Sequence, residues 1–133
     1  MQYFGAKARI AKEIVEVLNS YRYKDQPFVE PFCGSVNIVS KMTGDRFASD
    51  GHYELIELWK AVQQGWIPPD VITKEDYDLA RAGNVPPYLK AFVGFGCSFS
   101  GKYFGGYARN KIERNYAKNA VSSISKKYPG IKD

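Results

Sequence analysis

The sequence FVEPFCGS, residues 28–35, decides which fold the rest of the chain predicts. Phe28 and Val29 form a short apolar run typical of a strand, and a stretch with helical character follows Ser35. A junction between a strand and a helix leaves free backbone N–H groups and the positive end of a helix dipole. Gly34 would allow a ligand to approach that backbone closely. We therefore expect a ligand-binding turn at Gly34.

A second predicted strand, residues 46–49, ends directly before Asp50. In doubly wound α/β folds, an acidic residue at this place accepts hydrogen bonds from the hydroxyls of a ribose. A glycine turn alone has a simpler interpretation, because tight turns between a strand and a helix often need glycine for backbone reasons. Gly34 and Asp50 together favour a nucleoside-type cofactor.

The spacing of apolar residues predicts the helices around these strands. They cover residues 8–21, residues 36–42, a stretch from Leu55 to about Gly65, residues 73–82 and residues 110–127. Thr73 and Asp76 have the spacing of a capping box for the fourth helix. Short strands alternating with helices predict an α/β fold with a small, mostly parallel sheet.

Composition excludes several classes of protein. The chain has 133 residues, 44% of them apolar, which is enough for one domain with a buried core. No stretch approaches the roughly 18 apolar residues of a membrane span, and the first residues lack the apolar run of a secretory signal. Cys33, Cys97 and His52 are too few for a disulfide scaffold or a zinc site, so we expect no metal and a cytoplasmic location.

The positive charge is concentrated in one part of the chain. Residues 1–89 carry a net charge of −2 and residues 90–133 a net charge of +7, which together give the overall +5. A basic block beside a nearly neutral body indicates a polyanionic partner such as DNA. The alternative is a solvated basic helix.

Three blocks of the sequence match one family. They are YFGAK at residues 3–7, EPFCGS at residues 30–35, and the Gly-aromatic stretch from Phe92 to Asn110. In these blocks the chain resembles the N-terminal half of Dam-type DNA adenine-N6 methyltransferases, particularly the phage-type branch. The resemblance implies a truncated Rossmann-like methyltransferase fold. Residues 1–66 would form a partial cofactor-binding subdomain, and residues 67–133 a helical, recognition-like subdomain packed on it as one unit.

The resemblance also implies S-adenosylmethionine as the cofactor. Lys7 would pair with the methionine carboxylate, Glu30 would hold the ammonium or sulfonium side, and Asp50 would bind the ribose. The implied cofactor-binding residues are Tyr3, Lys7, Glu30, Phe32, Gly34 and Asp50. The alternative for Tyr3 is a ring packed in the core, and the alternative for Lys7 is a solvated lysine at the start of a helix.

The stretch NVPPYL, residues 84–89, looks at first like the family's catalytic Asp-Pro-Pro-Tyr block. Val85 separates Asn84 from the two prolines, no β-rich strand precedes them, and the stretch lies before the recognition block. We interpret the prolines as a boundary between two helices. We therefore expect no catalytic residue here, and a truncated methyltransferase-like chain that is inactive alone.

The Gly-aromatic stretch combines cations, hydroxyls and aromatic faces, which suit DNA or an acidic protein surface that mimics it. The residues expected to bind are Ser98, Ser100, Lys102, Tyr103, Tyr107, Arg109 and Lys111. The alternative is a structural loop whose rings pack on the core. Two further functions are open: a catalytically dead phage protein that inhibits a host nuclease or CRISPR-type defence complex, and a non-catalytic DNA-binding module. The open edges of a small sheet favour a homodimer or a complementary chain.

Overall fold

The computed structural model describes residues 1–109, 117–120 and 131–132. The helices are α1 (Ala11–Tyr21), α2 (Tyr53–Gln63), α3 (Lys74–Arg81) and α4 (Pro87–Gly96), and the strands are β1 (Phe28–Glu30), β2 (Arg46–Ala48) and β3 (Ile131–Lys132). Two 3-10 turns cover Val39–Lys41 and Phe99–Gly101. Residues 117–120 are helical, but most of the helix predicted over residues 110–127 lies outside the described residues.

The strands form one parallel sheet in the order β1-β2-β3. Val29 pairs with Phe47, and Phe47 pairs with Lys132. The sheet and the helices beside it confirm the predicted α/β class with a Rossmann-like arrangement. The sequence pattern does not predict β3, because a strand of two residues is too short to show the alternation that identifies strands.

The main core draws side chains from both predicted subdomains. Leu55 and Trp59 of α2 share one buried cluster with Tyr77 of α3 and Phe92 of α4. Of these four, Leu55 and Phe92 have no exposed surface. Because α2 packs directly on α4, the two sequence ranges meet across an apolar contact. The division at residue 66 stays a prediction.

A smaller apolar cluster attaches α1 to the turn that follows β1. Ala11 and Val15 of α1 pack there against Ile38 and Met42. The helix begins three residues later than predicted, at Ala11, and a turn occupies residues 8–10. This packing places the residues before α1 beside the end of β1.

The helix predicted over residues 36–42 is wrong. Val36 has a φ of +52°, which a β-branched residue rarely adopts and which no α-helix contains. The Glu30 carboxylate also accepts a hydrogen bond from the Val39 N–H at 2.9 Å, outside any helical ladder. Only the 3-10 turn at Val39–Lys41 remains, so an irregular segment follows β1.

Two local predictions in the second half are confirmed. Thr73 and Asp76 form the capping box of α3, each side chain accepting from the other's backbone N–H. Pro86 caps α4 and Pro87 is its first residue, so the two prolines separate α3 from α4. Among the described residues, no helix has the length and apolar character needed to cross a membrane.

Candidate cofactor-binding site

A cavity of about 210 Å³ lies where the N-terminal segment meets the ends of β1 and β2. The six residues predicted to bind a cofactor all line it, although they are spread from position 3 to position 50: Tyr3, Lys7, Glu30, Phe32, Gly34 and Asp50. Parallel strands end at the same edge of a sheet, and ligands of open α/β folds bind outside those ends. The topology therefore brings the predicted residues together.

Asp50 ties the turn after β1 to the start of α2. Its Oδ2 accepts a hydrogen bond from the Gly34 N–H at 2.9 Å, and its Oδ1 accepts one from the His52 N–H at 2.9 Å. Each carboxylate oxygen has a second lone pair. The side chain can therefore hold the turn in place and still accept hydrogen bonds from a ligand.

Other contacts hold the turn from two further directions. The Cys33 N–H donates to Ser49 O at 2.9 Å, and the Ser49 N–H donates to Glu30 O at 3.0 Å, which extends the β1–β2 pairing beyond the strands. The buried indole of Trp59 donates its Nε1–H to Gly34 O at 2.9 Å. The backbone at Gly34 is thus fixed before any ligand arrives.

Glu30 is a half-buried acid at the cavity wall. Burial raises the pKa of its carboxyl, the hydrogen bond from the Val39 N–H partly opposes this, and the charge of Asp50 adds to the rise. Two carboxylates close together in a partly desolvated site favour a cationic group as their neighbour.

The N-terminal segment supplies another part of the cavity wall. The Tyr3 ring lies against Gly34, and its phenol pKa is raised by burial and by the Asp50 charge. Lys7 is exposed, and its Nζ donates to Gly5 O at 2.9 Å. Phe32 is exposed at the rim. The cavity wall therefore combines a cation, aromatic faces and the two acids.

The prediction missed several residues of the cavity wall, namely Gly5, Ala6, Cys33, Ser35, Asn37 and Ile38. Ser35 and Asn37 are buried, and the Asn37 Nδ2 donates to Ser35 Oγ at 2.7 Å. In the sequence, the signal for these two wall residues was their polar character beside an apolar run. Burial and the charges of Asp50 and Glu30 raise the pKa of the Cys33 thiol to about 12, which favours the protonated form at neutral pH.

In the Gly-aromatic stretch, the structure contradicts the prediction for Ser98. This residue is fully buried, and its hydroxyl shares a hydrogen bond of 2.8 Å with the Tyr77 hydroxyl. Its side chain is therefore part of the core and does not face a partner.

The two tyrosines of the prediction also make contacts within the protein. The Tyr107 hydroxyl donates to Ile72 O at 2.6 Å. The Tyr103 ring packs 4.7 Å from Phe95 and 4.6 Å from His52, between ring centroids. Burial and the Glu54 charge raise the pKa of Tyr103 to about 12. Both rings are half-buried, as the structural alternative requires.

Three other residues of that predicted site are exposed: Ser100, Lys102 and Arg109. The Arg109 guanidinium lies 5.6 Å from the centre of the Tyr107 ring. Lys111 lies outside the described residues. Binding of a partner at these positions stays a prediction.

Comparison with known proteins gives one result for this chain. A family model described as "D12 class N6 adenine-specific DNA methyltransferase" matches residues 3–90. This range contains every residue of the cavity wall. No curated protein and no solved structure matches.

Proposed function

The chain belongs to the D12 class of N6 adenine-specific DNA methyltransferases, and from this membership we propose that its cavity binds S-adenosylmethionine. One observation carries the proposal. Six residues chosen from sequence alone, and separated by up to 47 positions, line a single cavity. A family match without that convergence would leave the site undefined.

The charges around the cavity fit the charges of this cofactor. S-adenosylmethionine carries a sulfonium, an ammonium and a carboxylate, and its sulfonium supplies the activated methyl group. Glu30 would hold the cationic side, and Lys7 would exchange its contact with Gly5 O for the carboxylate. Asp50 would accept from the ribose hydroxyls, since each of its oxygens keeps a free lone pair. The Tyr3 ring offers a flat apolar face.

We also propose that these 133 residues do not methylate DNA by themselves. They contain no Asp-Pro-Pro-Tyr block, the group that would grip the target amine. The stretch that resembles it does not line the cavity: Val85 packs against the main core, Pro86 is the N-cap of α4, and Pro87 is the first residue of that helix. A second polypeptide segment would have to hold the adenine that the family flips out of the duplex.

Calorimetric titration tests the cofactor proposal. We expect saturable binding of S-adenosylmethionine, and weaker binding of adenosine because adenosine lacks the groups that meet Lys7 and Glu30. S-adenosylhomocysteine, which keeps the carboxylate and ammonium but has no sulfonium charge, should fall between them. No saturation by S-adenosylmethionine up to about 1 mM, a binding free energy of about −4.1 kcal/mol, would exclude the proposed site.

A transfer assay tests the second proposal. The pure chain is incubated with S-adenosylmethionine carrying a labelled methyl group and with adenine-containing DNA duplexes. We expect no label in the DNA even when titration shows a bound cofactor. Incorporation of label would show that these residues complete an active site, and the proposed need for a further segment would be withdrawn.

A further inference from the structure

Tyr3 lies between two glycines that come from different parts of the chain. A Cβ atom on Gly34 would lie 3.0 Å from Cε1 of the Tyr3 ring, and one on Gly101 would lie 2.4 Å from the Tyr3 backbone nitrogen. Both glycines have positive φ, +47° and +67°. Contacts below 3.0 Å are not tolerated by a real side chain, so Gly101 is required where it stands.

The backbone around Gly101 is fixed to the core. It belongs to a loop, residues 98–107, that is closed by an isolated antiparallel bridge between Ser98 and Tyr107. Inside the loop, the Phe99 N–H donates to Gly106 O at 2.9 Å, and the Gly106 N–H donates to the buried Tyr77 hydroxyl at 3.2 Å. The loop therefore presents Gly101 O at a defined place.

That carbonyl holds the N-terminal segment. The Phe4 N–H donates to Gly101 O at 3.1 Å, one residue beyond the Tyr3 ring that covers the Gly34 turn. The Phe95 ring lies 4.9 Å from the Tyr3 ring and supports it from the core side. Gly101 itself does not line the cavity, whereas Tyr3, Gly5, Ala6 and Lys7 do.

We propose that Gly101 is a positioning residue for the cavity: through it, the loop of residues 98–107 sets the place of Tyr3 and of the cavity wall that follows it. The inference rests on the proposed function, because the ligand whose affinity Gly101 would affect is S-adenosylmethionine. It adds a role for the loop within this chain that needs no partner.

The first test replaces Gly101 by alanine and follows the Gly34 α-proton signals by NMR. Tyr3 ring atoms lie within 3.4 Å of the Cβ position on Gly34, so those signals report the ring's place. Gly101→Ala should shift them, because the new methyl group displaces Tyr3. Gly105→Ala in the same loop is the matched control: Gly105 has no positive φ, and the three atoms nearest to a Cβ there, at 3.0–3.1 Å, belong to the exposed Lys102 side chain. It should leave the Gly34 signals in place.

A second pair of variants avoids a steric clash, in case Gly101→Ala does not fold. Phe4→Pro removes the N–H that donates to Gly101 O, and the Phe4 side chain is 74% exposed, so its loss has little effect on the core. Phe4→Ala removes the same ring and keeps the N–H. Phe4→Pro should shift the Gly34 signals, and Phe4→Ala should not.

Calorimetry adds the functional result. Gly101→Ala and Phe4→Pro should each weaken S-adenosylmethionine binding about tenfold, or about 1.4 kcal/mol, through the displaced aromatic contact. Both controls should bind as the parent does. Unchanged Gly34 signals in Gly101→Ala and Phe4→Pro would overturn the inference, and so would unchanged affinity. If the parent binds no S-adenosylmethionine, the proposed function fails, and the NMR signals alone decide the role of Gly101.

Discussion

Glycines in the turn at residues 31–38 and in the loop at residues 98–107 have different surroundings. In the turn, Gly34 lies at the edge of a cavity with the Tyr3 ring against it, and contacts from Asp50 and the Trp59 indole hold its backbone in place. In and beside the loop, glycines make room for the protein's own rings and backbone. A Cβ on Gly94 of α4 would lie 2.4 Å from Cε2 of Tyr103.

This difference shows how a glycine should be interpreted. A glycine at the end of a parallel strand has its surroundings set by topology, because the next strand ends beside it. A glycine among aromatics has surroundings that depend on which rings turn inward, and composition does not determine that. The site at the turn could therefore be predicted from the sequence, whereas the loop, which is mostly core with a few exposed cations, could not.

The largest expected effect tests whether the Gly-aromatic stretch is core. Phe92 is fully buried in α4, so Phe92→Ala should lower the free energy of unfolding by about 3–5 kcal/mol. Phe99, in the same stretch, is 67% exposed, and Phe99→Ala should change the free energy of unfolding by about 0.5 kcal/mol or less. Urea denaturation of both variants measures the two values. Equal losses would remove the division between buried and exposed rings.

The next effect concerns the turn. Asp50→Ala removes the acceptor of the Gly34 and His52 amides and the proposed ribose contact. S-adenosylmethionine binding should weaken by about 1–3 kcal/mol, the range for a lost hydrogen bond to a charged group. Glu16→Ala, which removes an exposed carboxylate from α1, is the charge-matched control and should bind as the parent does. Unchanged affinity in Asp50→Ala would remove this residue from the site.

Sequence patterns among neighbouring residues predicted much of the turn and of the elements around it. The two strands, the turn, Asp50 and the capping box of α3 each depend on residues close in sequence, and the structure places them as predicted. The failures depend on distant residues. Val36 adopts a positive φ in a segment where the Glu30 carboxylate takes the Val39 N–H, nine positions away. Ser98 is buried, and its hydroxyl shares a hydrogen bond with the Tyr77 hydroxyl, twenty-one positions away.

The pH dependence of binding sharpens the account of the cavity. Burial raises the pKa of Glu30 in the folded protein above its ordinary value of 4.5. Its contribution to folding stability is therefore present below that ordinary value and is lost as pH rises through the raised pKa. Ligand binding has the opposite sign, because a cationic ligand needs the ionised carboxylate. Affinity should fall as pH drops through the raised pKa, on the order of tenfold per pH unit where one proton must leave.

Titrations with S-adenosylmethionine at several pH values, from neutral pH down to the ordinary Glu30 pKa of 4.5, measure this dependence. Glu30→Gln keeps the shape of the side chain and removes the charge, so its affinity should be lower at neutral pH and nearly independent of pH. Any slope that remains in this variant belongs to other groups. The same slope in parent and variant would show that Glu30 does not face the cationic side of the ligand.

The smallest expected effect per substituted residue is on DNA binding by the exposed cations in and after the loop of residues 98–107. Lys102 and Arg109 are exposed beside rings that pack inward, and Lys111 follows them in sequence. If this surface binds DNA, each neutralised phosphate releases counterions, so log K should fall with log salt by a slope of about 0.9 for each contact. Replacing all three by alanine should flatten that slope by as much as about 3 and leave the melting temperature nearly unchanged, since surface charges contribute little to stability.

The charge-matched control set consists of three exposed lysines in the other half of the chain, Lys12, Lys24 and Lys41. Their replacement by alanine should leave the slope as in the parent. Binding of a mixed-sequence duplex, followed by fluorescence anisotropy over a range of salt concentrations, separates the two outcomes. If both triple variants bind like the parent at every salt concentration, the Gly-aromatic stretch serves only as core and as the support of Tyr3.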